Sequence, residues 1–190
     1  MNKANIWGWP KKTKTTLNNI KAGDIFCFTQ EDGAYYFGQI ISKIITGHVA
    51  EIFRMIKKDP LITPVELEHI EPLTEPVVLD SYSLFDKKTD PTGEWRIIGH
   101  QEVTQTNRFK NYYFAYGTPE SWTKISALNV KKEASEHEIA NLPPLTPLNN
   151  YKISILLKNS NPEQSLTHQE QPINTAPRSG QSQPPRTKRT

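Results

Sequence analysis

The chain has one cysteine among 190 residues. A lone Cys27 closes no intramolecular disulfide and builds no Cys-rich zinc site, so disulfide scaffolds and zinc fingers are excluded. Glycine is also scarce, with nine residues. They form neither a phosphate-cradling loop nor a dinucleotide-binding fingerprint, and no Gly-x-Ser-x-Gly elbow presents a serine nucleophile. No run approaches the ~18 apolar residues of a membrane span, and residues 1–10 are too polar for the hydrophobic segment of a signal peptide. Asn-x-Ser/Thr glycosylation acceptors are missing too. These absences together lead us to expect a cytoplasmic protein that keeps Cys27 reduced.

What is present is a mildly basic chain of +3, with 35% hydrophobic residues. At ~100–200 residues per domain, this is one domain with appendages. The charge is unevenly placed. Residues 1–16 carry four Lys and no acid, residues 159–190 carry four bases against two acids, and residues 17–158 hold 15 bases against 18 acids. The body is acidic and its ends are basic. We therefore divide the chain into a basic, Trp-containing N-terminal extension (1–18), a β-rich domain (19–158) and a tail (159–190). The tail has five Pro, many Gln, Ser and Thr, and no aromatic residue. It cannot bury enough apolar surface to offset the entropy of ordering, which predicts disorder. Trp7 and Trp9 are too large to leave in water and are expected to pack on the body or on a partner.

Within the body, period-two alternation of β-branched and aromatic residues predicts strands. The first three run over Asp24 to Thr29, Ala34 to Ile45 and His48 to Ile56, with Asp32-Gly33 as a tight turn between the first two. Further strands are predicted over Val77 to Ser83, Trp95 to Glu102, Asn111 to Tyr116, Lys124 to Val130 and Tyr151 to Leu157. Thr63-Pro64-Val65-Glu66 reads as a capped helix start, ended before Pro72, and Ser135 with Glu138 as a second capping box. The expected class is mainly β, with α+β as the alternative: a small twisted antiparallel sheet or partly open barrel with one or two short helices.

Candidate chemistry is sparse. Five His show no ligand spacing, and His69 among Glu66, Glu68 and Glu71 could in principle build a metal site, but a solvated helix face explains these residues with fewer assumptions. Cys27 lies between Phe26 and Phe28 on a predicted strand, a setting for inert packing. No catalytic residue, cofactor or metal is assigned. The strongest electrostatic feature is the stretch from Asp59 to Asp80, which holds six acids and no Lys or Arg. Exposed, it would steer a basic partner.

Two stretches carry a family resemblance: GDIFCFTQEDGAYYFGQII, from Gly23 to Ile41, and EWRIIGHQEV, from Glu94 to Val103. In this order and spacing they resemble the immunity protein 26 family, found beside polymorphic toxins in bacteria. The similarity extends through Tyr112 to Tyr116, Ser135 to Leu142 and Tyr151 to Leu157, and Thr29 stands where the family often has Pro. The resemblance implies a non-enzymatic cytoplasmic antidote that binds and neutralises a cognate toxin protein. An acidic body suits a nuclease toxin, whose substrate surface must be cationic. On this reading Glu66, Glu68, Glu71, Glu75 and Asp80 contribute electrostatically, and Tyr35 and Tyr36 are aromatic anchors unless they serve as cross-strand packing. The competing reading is a small nucleic-acid-binding β-barrel; it is disfavoured because Lys and Arg are not interleaved with the aromatic strand Tyr112 to Tyr116 in sequence. Neither a membrane nor a nucleic acid is expected as partner.

Overall fold

The computed structural model describes residues 4–9, 17–85, 94–104 and 106–160. The tail expected to be disordered lies, from residue 161 onward, outside the described residues.

Strands β1 (Asn5–Ile6), β2 (Asp24–Thr29), β3 (Tyr35–Ile44), β4 (Gly47–Lys57), β5 (Val77–Leu79) and β6 (Trp95–His100) form one antiparallel sheet in the order β1-β6-β2-β3-β4-β5. A second antiparallel sheet comprises β7 (Tyr113–Thr118), β8 (Ser121–Ser126) and β9 (Lys131–Ala134). Neither sheet closes into a barrel. Five short helices accompany them: α1 (Pro64–Glu68), α2 (Ser81–Phe85), α3 (Thr106–Asn111), α4 (Glu136–Ile139) and α5 (Asn150–Ser160). None of the described helices is long and apolar enough to cross a membrane.

The meander of β2, β3 and β4 follows from local signals. Gly33 takes a positive φ of 73°, which the Asp-Gly turn requires, and Asp32 Oδ1 accepts the Ala34 amide at 2.9 Å. Gly38 has a different reason to be glycine: a Cβ there would lie 2.3 Å from Phe26 Cζ and 2.4 Å from the Glu51 carbonyl oxygen.

Alternation along these strands sends side chains to two faces. On one, Phe26, Phe28, Tyr36, Ile52, Trp95 and Ile97 pack beneath α2 and α5. The centre is an aromatic stack. Trp95 lies 3.9 Å from Phe28 with 7° between ring planes, and Phe28 lies 5.4 Å from Tyr36. On the other face, Ile25, Cys27, Phe37, Phe53 and Ile98 meet Leu67 of α1, while Ile41, Val49 and Val78 meet Phe109 of α3 and Phe114 and Ile125 of the second sheet.

The N-terminal tryptophans pack on the body. Trp7 donates its Nε1 proton to the Ile97 carbonyl at 3.0 Å, and Trp9 sits edge-on to Tyr35 with the Arg96 guanidinium 4.2 Å above its ring. Both capping boxes form, Thr63 with Glu66 and Ser135 with Glu138.

Several expected elements are corrected. Residues 151–157 are not a strand: Asn150–Ser160 is the longest of the described helices, and Ile153 and Leu157, one turn apart, are its buried residues. The alternation Tyr151, Ile153, Ile155, Leu157 mimics period two, yet Tyr151 and Ile155 are exposed. Asn149 caps the helix, accepting the Lys152 amide at 3.0 Å. Asn150 Oδ1 then accepts from Trp95 Nε1 at 2.9 Å and Gln30 Nε2 at 3.1 Å, which ties α5 to the sheet. The strand expected over 77–83 stops at Leu79, because Asp80 Oδ1 accepts the Ser83 amide and starts α2. Helix α1 ends at Glu68, before reaching Pro72, which instead bridges Phe53. The strand expected from Asn111 begins at Tyr113, since α3 occupies the preceding residues, and the one expected over 124–130 runs over 121–126. β1, β9 and α3 are additional to the expected elements, and five helices replace the expected one or two.

Candidate functional site

Between α1 and the segment leading into α3, the second face of the large sheet opens into a groove of about 390 Å³. Its floor is Gln39, Glu51 and Phe53; Gln39 and Glu51 are register partners on β3 and β4. One wall is Leu67, Glu68, His69 and Ile70, at the end of α1. The other is Gln101, Glu102, Thr104 and Phe109. The lining thus combines aliphatic and aromatic surface with three carboxylates, and holds no Lys or Arg. Gln39 Nε2 donates to the Gln101 carbonyl at 2.7 Å, which ties the floor to the second wall.

Glu51 is 8% exposed, and burial raises its carboxyl above the ordinary range. Arg108 opposes that shift. Its Nη1 donates to Glu51 Oε1, its Nη2 lies 3.5 Å from Glu75 Oε2, and its guanidinium sits over the Phe109 ring at 5.6 Å. Glu68 has no ion-pair partner among the described residues.

The five acids singled out in the sequence do not converge as one patch. Glu68 lines the groove and Glu75 stands at its edge through Arg108. Glu71 is exposed on the loop after α1, and its carbonyl accepts the Arg54 amide at 2.7 Å. Glu66 turns to its own helix, closing the capping box and pairing with Lys57 at 2.9 Å, and these contacts hold its carboxyl below the usual range. Asp80 caps α2 on the opposite face. Tyr35 is half-buried against Trp9. Tyr36 is 4% exposed in the aromatic stack, its hydroxyl donating to Asp32 Oδ2 at 3.0 Å and pushed up to about 12 by burial and that carboxylate.

Two acids of the groove, Glu51 and Glu102, lie outside the acidic stretch from Asp59 to Asp80. The signal for Glu51 is its position as a lone carboxylate in the apolar run Val49-Ala50-Glu51-Ile52-Phe53. Charge separates by region as well. Residues 17–104 carry fourteen acids against eight bases, and residues 105–160 carry four against seven. The large sheet with its groove belongs to the acidic part.

The described residues give the two sequence candidates, Cys27 and a metal centre, no supporting geometry. Cys27 is fully buried, and burial pushes its thiol far above the ordinary range. Among the described residues no three His, Cys, Asp or Glu are grouped to hold a metal ion. His48 and Ser81 do form a buried contact, Nδ1 to Oγ at 2.8 Å, beside Lys43 and Asp24. Burial, and secondarily Lys43, lowers the His48 pKa, so the fold binds the proton less readily than the unfolded chain, which takes it up below about 6.5. Stability is therefore expected to fall as pH drops below about 6.5. Thermal melts between pH 7.5 and 5 check this: His48→Gln should flatten the slope, and an unchanged slope would assign it to other groups.

No curated protein and no solved structure matches the chain. A family model for immunity protein 26 matches residues 21–122, more than half of the sequence. The span begins just before the Gly23-Asp24 pair and ends inside β8. It includes both motifs that carry the resemblance and every residue lining the groove. β1, β9, α4 and α5 fall outside it. The chain belongs to the immunity protein 26 family.

Proposed function

We propose that this protein is a cytoplasmic antidote: it binds a cognate bacterial toxin, such as a nuclease, and neutralises it by covering a cationic surface, without chemistry of its own. Family membership carries this reading. It is supported by the concentration of acids on the large-sheet region and by a groove whose lining offers carboxylates beside apolar surface, the combination that suits the aliphatic stems and charged heads of Lys and Arg. Glu68, Glu71 and Glu75 are the exposed acids that would steer the toxin; Glu66 and Asp80, engaged in local caps, would contribute only to the long-range field.

The test is co-expression with the toxin encoded beside this gene. Cells producing both proteins are expected to grow, and the two should co-purify. Growth arrest despite abundant folded antidote, with no complex recovered, would refute the proposal.

One observation favours the nucleic-acid reading. The Tyr113 ring lies 5.7 Å from Lys124 Nζ and 5.8 Å from Lys132 Nζ, an arrangement in which an aromatic platform is flanked by cations. Lys124 is at the same time paired with Glu138 at 2.5 Å, which reduces the field it offers an anion. Salt-dependent binding of a single-stranded oligonucleotide, lost in Lys132→Gln, would support this second reading.

A further inference from the structure

We propose that the groove is a receptor for one arginine side chain presented by the partner protein. The inference deepens the toxin-binding reading and rests on it for the partner's identity.

The groove already recognises a guanidinium within the chain. Arg108 of α3, which is not itself a lining residue, donates to buried Glu51 of the floor, reaches Glu75 and lies over Phe109 of one wall. Glu51 of the floor and Phe109 of one wall thus already offer a guanidinium two things it asks for, a carboxylate acceptor and an aromatic ring. The opposite wall repeats the chemistry without an occupant of its own. Glu68, at the end of α1, has no ion-pair partner among the described residues and lines the groove together with Leu67 and Phe53. A volume of about 390 Å³ lies in the range of small-ligand pockets, enough for an arginine with its flanking backbone. A planar guanidinium is more weakly hydrated than an ammonium and stacks on aromatic rings, which favours arginine over lysine here. Gln101 and Thr104 leave polar groups at the rim for the partner's backbone. An incoming arginine would lie alongside Arg108 and bind Glu68, so that the two cations share carboxylates from both walls.

The probe is the capped tripeptide acetyl-Gly-Arg-Gly-amide, with its citrulline analogue as a neutral isostere. Both are titrated into the full chain while backbone amide shifts are followed by NMR. The arginine peptide is expected to give saturable shifts at Gln39, Glu68 and Thr104. The citrulline peptide should give none. Glu68→Gln, an exposed change that leaves the core untouched, should weaken the arginine peptide about two- to fivefold, the range of an exposed ion pair. Absence of saturable shifts, equal shifts with citrulline, or shifts mapped outside the groove would overturn the proposal. If the toxin co-purifies while the arginine peptide leaves the groove unmoved, the receptor is refuted and the toxin reading stands. If the peptide seats but no toxin is bound or neutralised, the toxin reading alone fails.

Discussion

Trp95→Ala is expected to destabilise the protein by about 3–5 kcal/mol, the range for truncating a large buried aromatic. Trp95 is 2% exposed and contacts three rings: Phe28 face to face, Phe26 at 5.6 Å and Phe85 edge-on at 5.6 Å. Its indole N–H also holds Asn150, so the substitution loosens α5 as well as the sheet. Against a typical total of about 5–15 kcal/mol, that loss brings the fold close to its limit. Urea titration followed by circular dichroism measures it. Trp95→Phe retains most of the apolar surface but drops the hydrogen bond, and should cost clearly less. If the alanine variant lost under about 1 kcal/mol, the aromatic stack would not be the organising centre of the core.

The second large effect concerns association. Simultaneous replacement of Glu68, Glu71 and Glu75 by Lys changes the local charge by six units on a surface where all three side chains are exposed and only Glu75, 3.5 Å from Arg108 Nη2, makes an ion pair among the described residues. The fold should survive, with melting close to that of the parent chain. Association with the toxin is expected to slow by about 10–10³-fold at low ionic strength, because focused surface charge raises on-rates by that order. The gap should narrow as salt is added, since exposed charges are screened beyond about 10 Å at 0.1 M. Stopped-flow mixing or surface-based kinetics reads the rate directly. An unchanged on-rate at low salt would show that the toxin docks elsewhere, without affecting the family assignment.

Much of the fold is legible in the sequence where the signal is local. Asp32-Gly33 needs only its own backbone freedom and one side-chain hydrogen bond, and both capping boxes are closed within four residues. The two family motifs are legible as text, and the structure supplies their physical meaning. Phe28 from the first and Trp95 from the second are direct register partners on β2 and β6 and stack in the core. Gly38 belongs to the motif because Phe26, from the same motif, fills the space a side chain would need.

The helix at 150–160 was illegible for a corresponding reason. Its apolar residues satisfy two periods at once, and the choice between them is made by Trp95 and Gln30, which bind Asn150 across long stretches of chain. The acidic site follows the same logic. A run of carboxylates between Asp59 and Asp80 is conspicuous in one dimension, but capping turns Glu66 and Asp80 to local tasks, whereas Glu51 and Glu102 are brought to Glu68 from distant strands and loops.

The sequence by itself therefore determined the β-rich class, the first meander, the helix starts at Thr63 and Ser135 and the family to which the chain belongs. Those features rest on interactions within a few residues or on recurring motifs. Only the tertiary structure decided that the N-terminal tryptophans close onto the body, that 150–160 is a helix, and which carboxylates gather around the groove. These depend on pairings between residues far apart in the chain, where burial and charge are set by what packs opposite rather than by what stands alongside.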